Sequence, residues 1–281
     1  MNFGRPAGML IALFVVGMAI VAGPAITRYV GSTVDALRPG KASDLAPCIV
    51  QYPGGVRPAY VHPGLDRRTT TICYHAFSVG YSGLTRTPLW SAERLTAETV
   101  ANAHELARVD DFHPDDHLAG RDRASLDDYR RSGFDRGHMT PSGDMPDARD
   151  QDESFTLANI VPQTRELNRH LWSDIEHEVR QLARTHATIY VVTGPIFAGA
   201  TLNSLHGHVA VPTSTYKAVF IPGDGAAVYV ASNTRHPQLQ VLSIVELRRR
   251  VGVDPFPAID QRAKANPIYL PRPRRQRTYR N

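Results

Sequence analysis

The chain has 281 residues, 42% hydrophobic and 21% charged, enough for one large domain or two small ones. It carries no internal repeat and no low-complexity linker between domains, which excludes a repeat array and favours one folded unit. The formal charge of +5 and pI of about 9.4 suit a polyanionic partner, a balance that many proteins without one also share.

The stretch 6–26 contains no charged residue and follows Arg5 and the amino terminus. Residues 1–30 therefore read as a signal peptide or a membrane anchor. The apolar core approaches the length of a bilayer span, and cleavage options near Ala22, Gly23 and Ala25 are poor, with Pro24 obstructing one. An uncleaved anchor is preferred, with the remaining chain on the periplasmic or extracellular face; a cleaved, secreted form is the alternative. Cys48 and Cys73 make an even count, which permits a disulfide in an oxidising compartment. Two free buried thiols are the other option.

Residues 71–82 alternate as a strand, and 96–108 reads as a helix with Thr96 as its cap. Next comes Arg108-Val109-Asp110-Asp111-Phe112, and then Phe134-Asp135-Arg136-Gly137-His138. Gly133 and Gly137 bracket Asp135 and Arg136, as at a turn or strand end where backbone passes close to something. A neutral His138 can take a proton from water near neutral pH, and the Arg136 guanidinium matches phosphate oxygens.

Asn159-Ile160-Val161-Pro162-Gln163 precedes Asn168-x-x-x-Trp172-x-x-x-Glu176. At about 100° per helical residue, Asn168, Trp172 and Glu176 share one face, beside an apolar stripe of Leu171, Ile175, Val179 and Leu182. Amide and carboxylate oxygens suit a hard cation that keeps its waters, such as Mg2+. Taken singly, these segments also read plainly, as a charged surface turn and as an N-cap with a solvated Glu. His170, Asp174, His177 and Glu178 crowd the same helix without forming H-E-x-x-H, and read as a solvated face rather than a zinc site.

Residues 189–193 form a buried strand ended by Gly194-Pro195. Two further strands, 209–221 and 226–232, flank the turn Pro222-Gly223-Asp224-Gly225. Ser243-x-x-Glu246 is a capping box for a short helix that stops at Gly252. Strands and helices in mixed order, with hairpins, give an α+β class. The tail 266–281 holds Arg272, Arg274, Arg275, Arg277 and Arg280 with three prolines, and reads as disordered. It adds nucleic-acid affinity, contacts anionic lipid, or merely solubilises.

The order and spacing of D-R-G-H, N-I-V-P-Q and N-x-x-x-W-x-x-x-E resemble the DNA/RNA non-specific endonuclease family, whose core is a ββα-metal, or His-Me, finger. Thr193-Gly194-Pro195, Val211-Pro212-Thr213 and Lys217 also resemble its pattern. The resemblance implies a mixed antiparallel sheet core with packed helices and a catalytic finger, over a domain at 31–265. It implies His138 as general base, Asn168 as the one direct protein ligand of Mg2+ (Mn2+ as a substitute), and Glu176 holding the ion's waters. Arg136 would bind phosphate, and Asn159 would support the site, with Gln163 a weaker candidate. Arg108 is the best match to a further family arginine, ahead of Arg86, which reads as part of a strand and turn.

The function so implied is exported, Mg2+-dependent hydrolysis of DNA and RNA to 5′-phosphate ends. The cleavage would be sugar-non-specific, because the recognisable contacts are to backbone rather than base edges. The alternatives are a non-catalytic nucleic-acid-binding protein on a nuclease scaffold, or a phosphodiesterase for another substrate. A homodimer is a further expectation, since related enzymes often pair. The residues do not reveal biological role, DNA-over-RNA preference or an inhibitor partner.

Overall fold

The computed structural model describes residues 48–274, so the apolar run at 6–26 and the end of the basic tail lie outside the described residues. A seven-stranded sheet dominates them. Its strands are β1 (Thr69–Cys73), β2 (Phe77–Ser82), β3 (Thr87–Leu95), β6 (Ile189–Ile196), β7 (Ser214–Ile221), β8 (Gly225–Ser232) and β9 (Leu239–Leu242). Two more strands, β4 (Asp135–His138) and β5 (Ile160–Gln163), pair with each other outside that sheet. The spatial order is β9-β8-β7-β6-β3-β2-β1, every pair antiparallel. The helices used below are α1 (Ala97–His104), α2 (Ala148–Ser154), α3 (Ser173–Thr185) and α4 (Ile244–Val251). The class is α+β.

Strand alternation divides the core into two layers. Trp90, Ala92, Val192, Tyr216, Ala218 and Val228 point to one face, where Ile244 and Leu247 of α4 and Phe256 cover them. Leu95, Val191, Val219, Ala227 and Tyr229 point to the other, against Val100 of α1 and Ile175, Val179 and Ala183 of α3. Helix α4 has the expected capping box, Ser243 with Glu246, and stops at Gly252 with φ +69°. Only glycine adopts that left-handed turn without a Cβ penalty.

Several boundaries differ from the sequence expectation. Residues 71–82 are a hairpin, not one strand: the chain turns at 74–76, where Tyr74 N–H donates to Phe77 C=O (2.9 Å). The apolar side chains that share one core cluster shift from even (Ile72, Tyr74) to odd (Phe77, Val79, Tyr81) positions across the turn, a register break that single-strand alternation forbids. The 209–221 stretch is likewise split. Val209–Ala210 pairs with Ser204–Leu205, and β7 begins only at Ser214, past Pro212, which has no N–H to donate. Helix α1 ends at His104, so Arg108 sits in an irregular segment rather than on a helix.

Cys48 and Cys73 are joined as a disulfide, with Cα atoms 5.8 Å apart, which ties the segment before Pro53 to the edge strand β1. The described part of the tail is docked rather than loose. Ile268 N–H donates to Ala226 C=O (3.2 Å), Tyr229 Oη donates to Pro271 C=O (2.6 Å), and Leu270 is buried. The apolar side chains Ile268 and Leu270 anchor a stretch whose arginine content suggested disorder. No helix among the described residues is long and apolar enough to cross a membrane.

Candidate active site

The D-R-G-H residues form β4, paired with the N-I-V-P-Q residues of β5 in the register Asp135↔Gln163, Arg136↔Pro162, Gly137↔Val161, His138↔Ile160. A Cβ on Gly137 would lie 2.3 Å from Gln163 Oε1, so the close packing of these strands demands glycine there. After β5 the chain passes through a π-helical stretch, Leu167–Trp172, into α3, completing a ββα unit. With i→i+5 bonding the 100° count does not apply across 167–172 and resumes in α3. Trp172 is buried and its Nε1–H reaches His138 C=O (3.4 Å), while Asn168 stays half-exposed at the cleft wall.

The backbone just after His138 is held from behind by the main sheet. Lys217 Nζ on β7 donates to Met139 C=O (3.2 Å) and Thr193 Oγ1 (2.8 Å), and Ser91 Oγ on β3 meets Thr140 Oγ1 at 2.7 Å. Asn159 accepts from Thr140 N–H at Oδ1 (3.0 Å) and donates from Nδ2 to Thr140 C=O (2.8 Å) and Ser154 C=O (2.9 Å). Its amide is fully enclosed and spent on these bonds, so Asn159 cannot touch a substrate. It is a positioning residue, acting through Thr140.

The His138 ring packs against Phe112 and Phe155, centroids 5.3 and 5.0 Å away, with Nε2 enclosed and unpartnered. Burial, reinforced by the Arg108 and Arg136 charges, lowers its pKa to about 3, so the ring is neutral at physiological pH. Both arginines lie against the flanking rings, Arg136 Cζ 4.1 Å from the Phe112 centroid and Arg108 Cζ 5.2 Å from that of Phe155. Arg108 is further fixed by Asp110 (2.7 Å) and Ser142 Oγ (2.8 Å). Arg86, the competing candidate, sits in the β2–β3 turn and donates to Arg121 C=O (3.0 Å), outside the cleft lining.

Arg108, Phe112, Arg136 and Asn168 line one cleft of about 590 Å³, together with Asp135 and Arg169. Asp135 organises this wall. It accepts from Asn168 Nδ2 (3.2 Å) and from Arg169 Nε and Nη2 (2.7 and 2.9 Å). Burial alone would raise its pKa, but the bonds from Arg169 and Asn168 outweigh it and hold the carboxylate below its ordinary range. With Nδ2 committed to Asp135, Asn168 Oδ1 has no hydrogen-bond partner among the described residues.

Glu176 belongs to a charge cluster behind Arg108. Burial and Asp144 raise its pKa to about 7, against the opposing pull of Lys217, Arg180 and Arg108. Arg180 Nη1 donates to Asp144 Oδ1 (2.8 Å). Glu93, on β3, is enclosed with neither carboxylate oxygen hydrogen-bonded, and burial with the nearby Asp144 charge holds it well above its ordinary value. The sheet thus presents a buried polar patch to the finger where alternation alone predicts packing.

The sequence model of the DNA/RNA non-specific endonuclease family matches residues 59–261. The chain belongs to that family. Nuclease C1 of Cunninghamella echinulata var. echinulata is 36% identical over 169 residues, covering 56% of this chain and 67% of the relative. Mitochondrial endonuclease G of Bos taurus is 31% identical over 201 residues, covering 66% of each chain. About a third of each relative therefore has no counterpart in the match. A chain from the crystal structure of the EndoG/EndoGI complex superposes with a TM-score of 0.64 at 30% identity, covering 73% of this chain and 91% of that one.

Within this family frame, the structure gathers Arg108, Arg136 and Asn168 at one cleft, with His138 and Glu176 behind its wall. Sequence reading allows Asp135 to orient a neighbouring donor without naming Asn168 or Arg169, and it missed the Asp144–Arg180 pair, Ser91 and Glu93. Arg180 carried a signal: it lies one helical turn after Glu176, where i,i+4 side chains meet. Ser91, Glu93 and Asp144 carried none, because only the topology brings them beneath the finger.

Proposed function

We propose that this protein is an exported, Mg2+-dependent, sugar-non-specific endonuclease that leaves 5′-phosphate and 3′-hydroxyl ends on DNA and RNA. The observation that carries the reading is the convergence on one cleft of Arg108, Arg136 and an Asn168 oxygen without a partner among the described residues, with a neutral His138 against its Phe112 wall. The donor set fits the expected ion. An amide oxygen and a carboxylate are hard ligands, and Mg2+ takes few protein groups while keeping waters. Asn168 would hold it directly, with Glu176 as the acidic neighbour. When bound, the ion supplies Lewis-acid charge at the phosphate and the leaving oxygen.

The protein's own groups account for the rest. Arg136 and Arg108 clasp the phosphate with fixed charge, and their stacking on Phe112 and Phe155 presents the guanidinium planes at little entropic cost. His138 takes the proton of the attacking water at Nδ1, since Nε2 is sealed. A pKa near 3 makes a poor base; burial is the larger cause, and a bound phosphate offsets the part that the two arginine charges add. Substrate therefore raises the basicity of the histidine in the complex where it is needed. Export is supported by the Cys48–Cys73 disulfide, which suits an oxidising compartment. The apolar run at 6–26 would be the anchor or signal.

The test is cleavage of supercoiled plasmid and single-stranded RNA with Mg2+, with EDTA, and with His138→Ala. Mg2+-dependent loss of both substrates is expected, with a fall of roughly 10²–10⁴ in rate for the variant. Tight binding without cleavage by wild-type protein would instead make this a binding protein on a nuclease scaffold.

A further inference from the structure

A second cluster of ligand-type side chains lies where the β1–β2 turn meets α2. His75 occupies the turn, Asp147 caps α2, and Asp150 lies in its first turn. One ligand atom from each of the three falls within 4.8 Å of the others. His75 Nδ1 is 2.7 Å from Asp150 Oδ1, and Asp147 Oδ1 accepts Asp150 N–H (2.8 Å), which leaves its second oxygen for another partner. Glu153 closes the same corner by accepting His75 N–H at 2.8 Å, while its other oxygen pairs with Arg149 at 3.0 Å.

The informative group is Asp150. Its side chain is 1% exposed, and Oδ2 is enclosed without any hydrogen-bond partner. A bare carboxylate oxygen inside a protein is costly unless a cation or donor meets it. His75 satisfies only Oδ1. Asp147 and Glu153 face Asp150 with like charge, and Arg149 is committed to Glu153. The cluster therefore holds more negative charge than its one imidazole answers.

We infer that His75, Asp147 and Asp150 bind a second divalent ion of the Mn2+ or Zn2+ class, separate from the cleft. An imidazole combined with carboxylates favours those ions over Ca2+ or Mg2+, which prefer oxygen alone. Donors each about 2.1 Å from one ion lie at most ~4.2 Å apart, so any pair near the 4.8 Å bound closes when the ion binds. The half-exposed His75 side chain can supply that movement. The ion replaces the proton shared by Nδ1 and Asp150, which leaves to solvent, so uptake weakens as pH falls. Its effect is to clamp the disulfide-bearing hairpin onto α2, whose next residue, Phe155, packs on the His138 ring.

The test is Mn2+ and Zn2+ binding to the metal-stripped full-length protein by calorimetry, without nucleic acid. Asn168→Ala should still take up one equivalent and gain thermal stability from it. Asp147→Asn, which keeps a capping oxygen, and Asp150→Asn should each weaken that equivalent at least tenfold. Asp147→Asn should cleave plasmid in Mg2+ at the wild-type rate, which separates this site from the nuclease reading. Loss of all uptake in Asn168→Ala would overturn the inference, as would unchanged affinity in folded Asp147→Asn. If Asp150→Asn does not fold, the exposed Asp147 decides alone.

Discussion

The two sides of His138 are built on different principles. Behind it, Met139, Thr140 and Asn159 are tied by buried hydrogen bonds to Lys217, Ser91 and Ser154. In front, Arg136 and Arg169 are exposed, held by stacking and by Asp135, and the cleft between them is open. The back wall sets where the histidine stands, and the front wall supplies charge where a phosphate would lie. A fold that separates the two can vary its substrate surface without disturbing its catalytic geometry.

Lys217→Met should break the back wall and have the largest effect. It leaves the Met139 carbonyl without its ammonium and takes from Glu93 and Glu176 the strongest of their counter-charges, with Arg180 remaining, and losing one partner of a buried charge network costs about 3–5 kcal/mol. Denaturant unfolding should show that loss at unchanged m value, and cleavage should fall with it. Arg136→Ala breaks only the front wall. Its cleavage rate should drop on the order of 10²–10³, as for other removed transition-state donors, while stability stays within about 0.5 kcal/mol. If Arg136→Ala also unfolds the protein, or Lys217→Met leaves stability intact, the division between the walls is wrong.

That division also explains what could be read in the sequence. The front wall is local. Asp135, Arg136 and His138 are neighbours on one strand, and Asn168 and Glu176 lie within one short segment, so spacing exposed them. The back wall is assembled from β3, β6 and β7, far apart in the chain, and its residues sit at strand positions where alternation predicts only core or solvent. Lys217 stood out as part of a family pattern, but nothing local gave its ammonium a target. The π stretch was hidden for another reason: 167–172 has an ordinary helical pattern, and only the tertiary structure shows Trp172 reaching His138 C=O while Asn168 meets Asp135.

The finest test concerns Glu176, which stands between the two walls. Its folded pKa of about 7 lies above the ordinary 4.5, so the folded protein holds that proton more tightly than the unfolded chain. The stabilising contribution is therefore complete below about 4.5 and disappears as pH rises through about 7. In EDTA, Glu176→Gln should melt higher than wild type at roughly pH 8 and equally at roughly pH 4, because the amide never ionises. His138 works in the opposite sense. Its depressed pKa gives stability that is full above 6.5 and lost as pH falls through about 3, which leaves it silent in this comparison near pH 8. In Mg2+, whose charge opposes the burial that raises Glu176, wild-type kcat/KM should rise with pH through an acid limb that Glu176→Gln lacks, at a lower plateau. A limb that survives the substitution would assign the ionisation to another group, with the buried Glu93 carboxyl the nearest in kind. The back wall would then be tuning the chemistry as well as the position of the histidine.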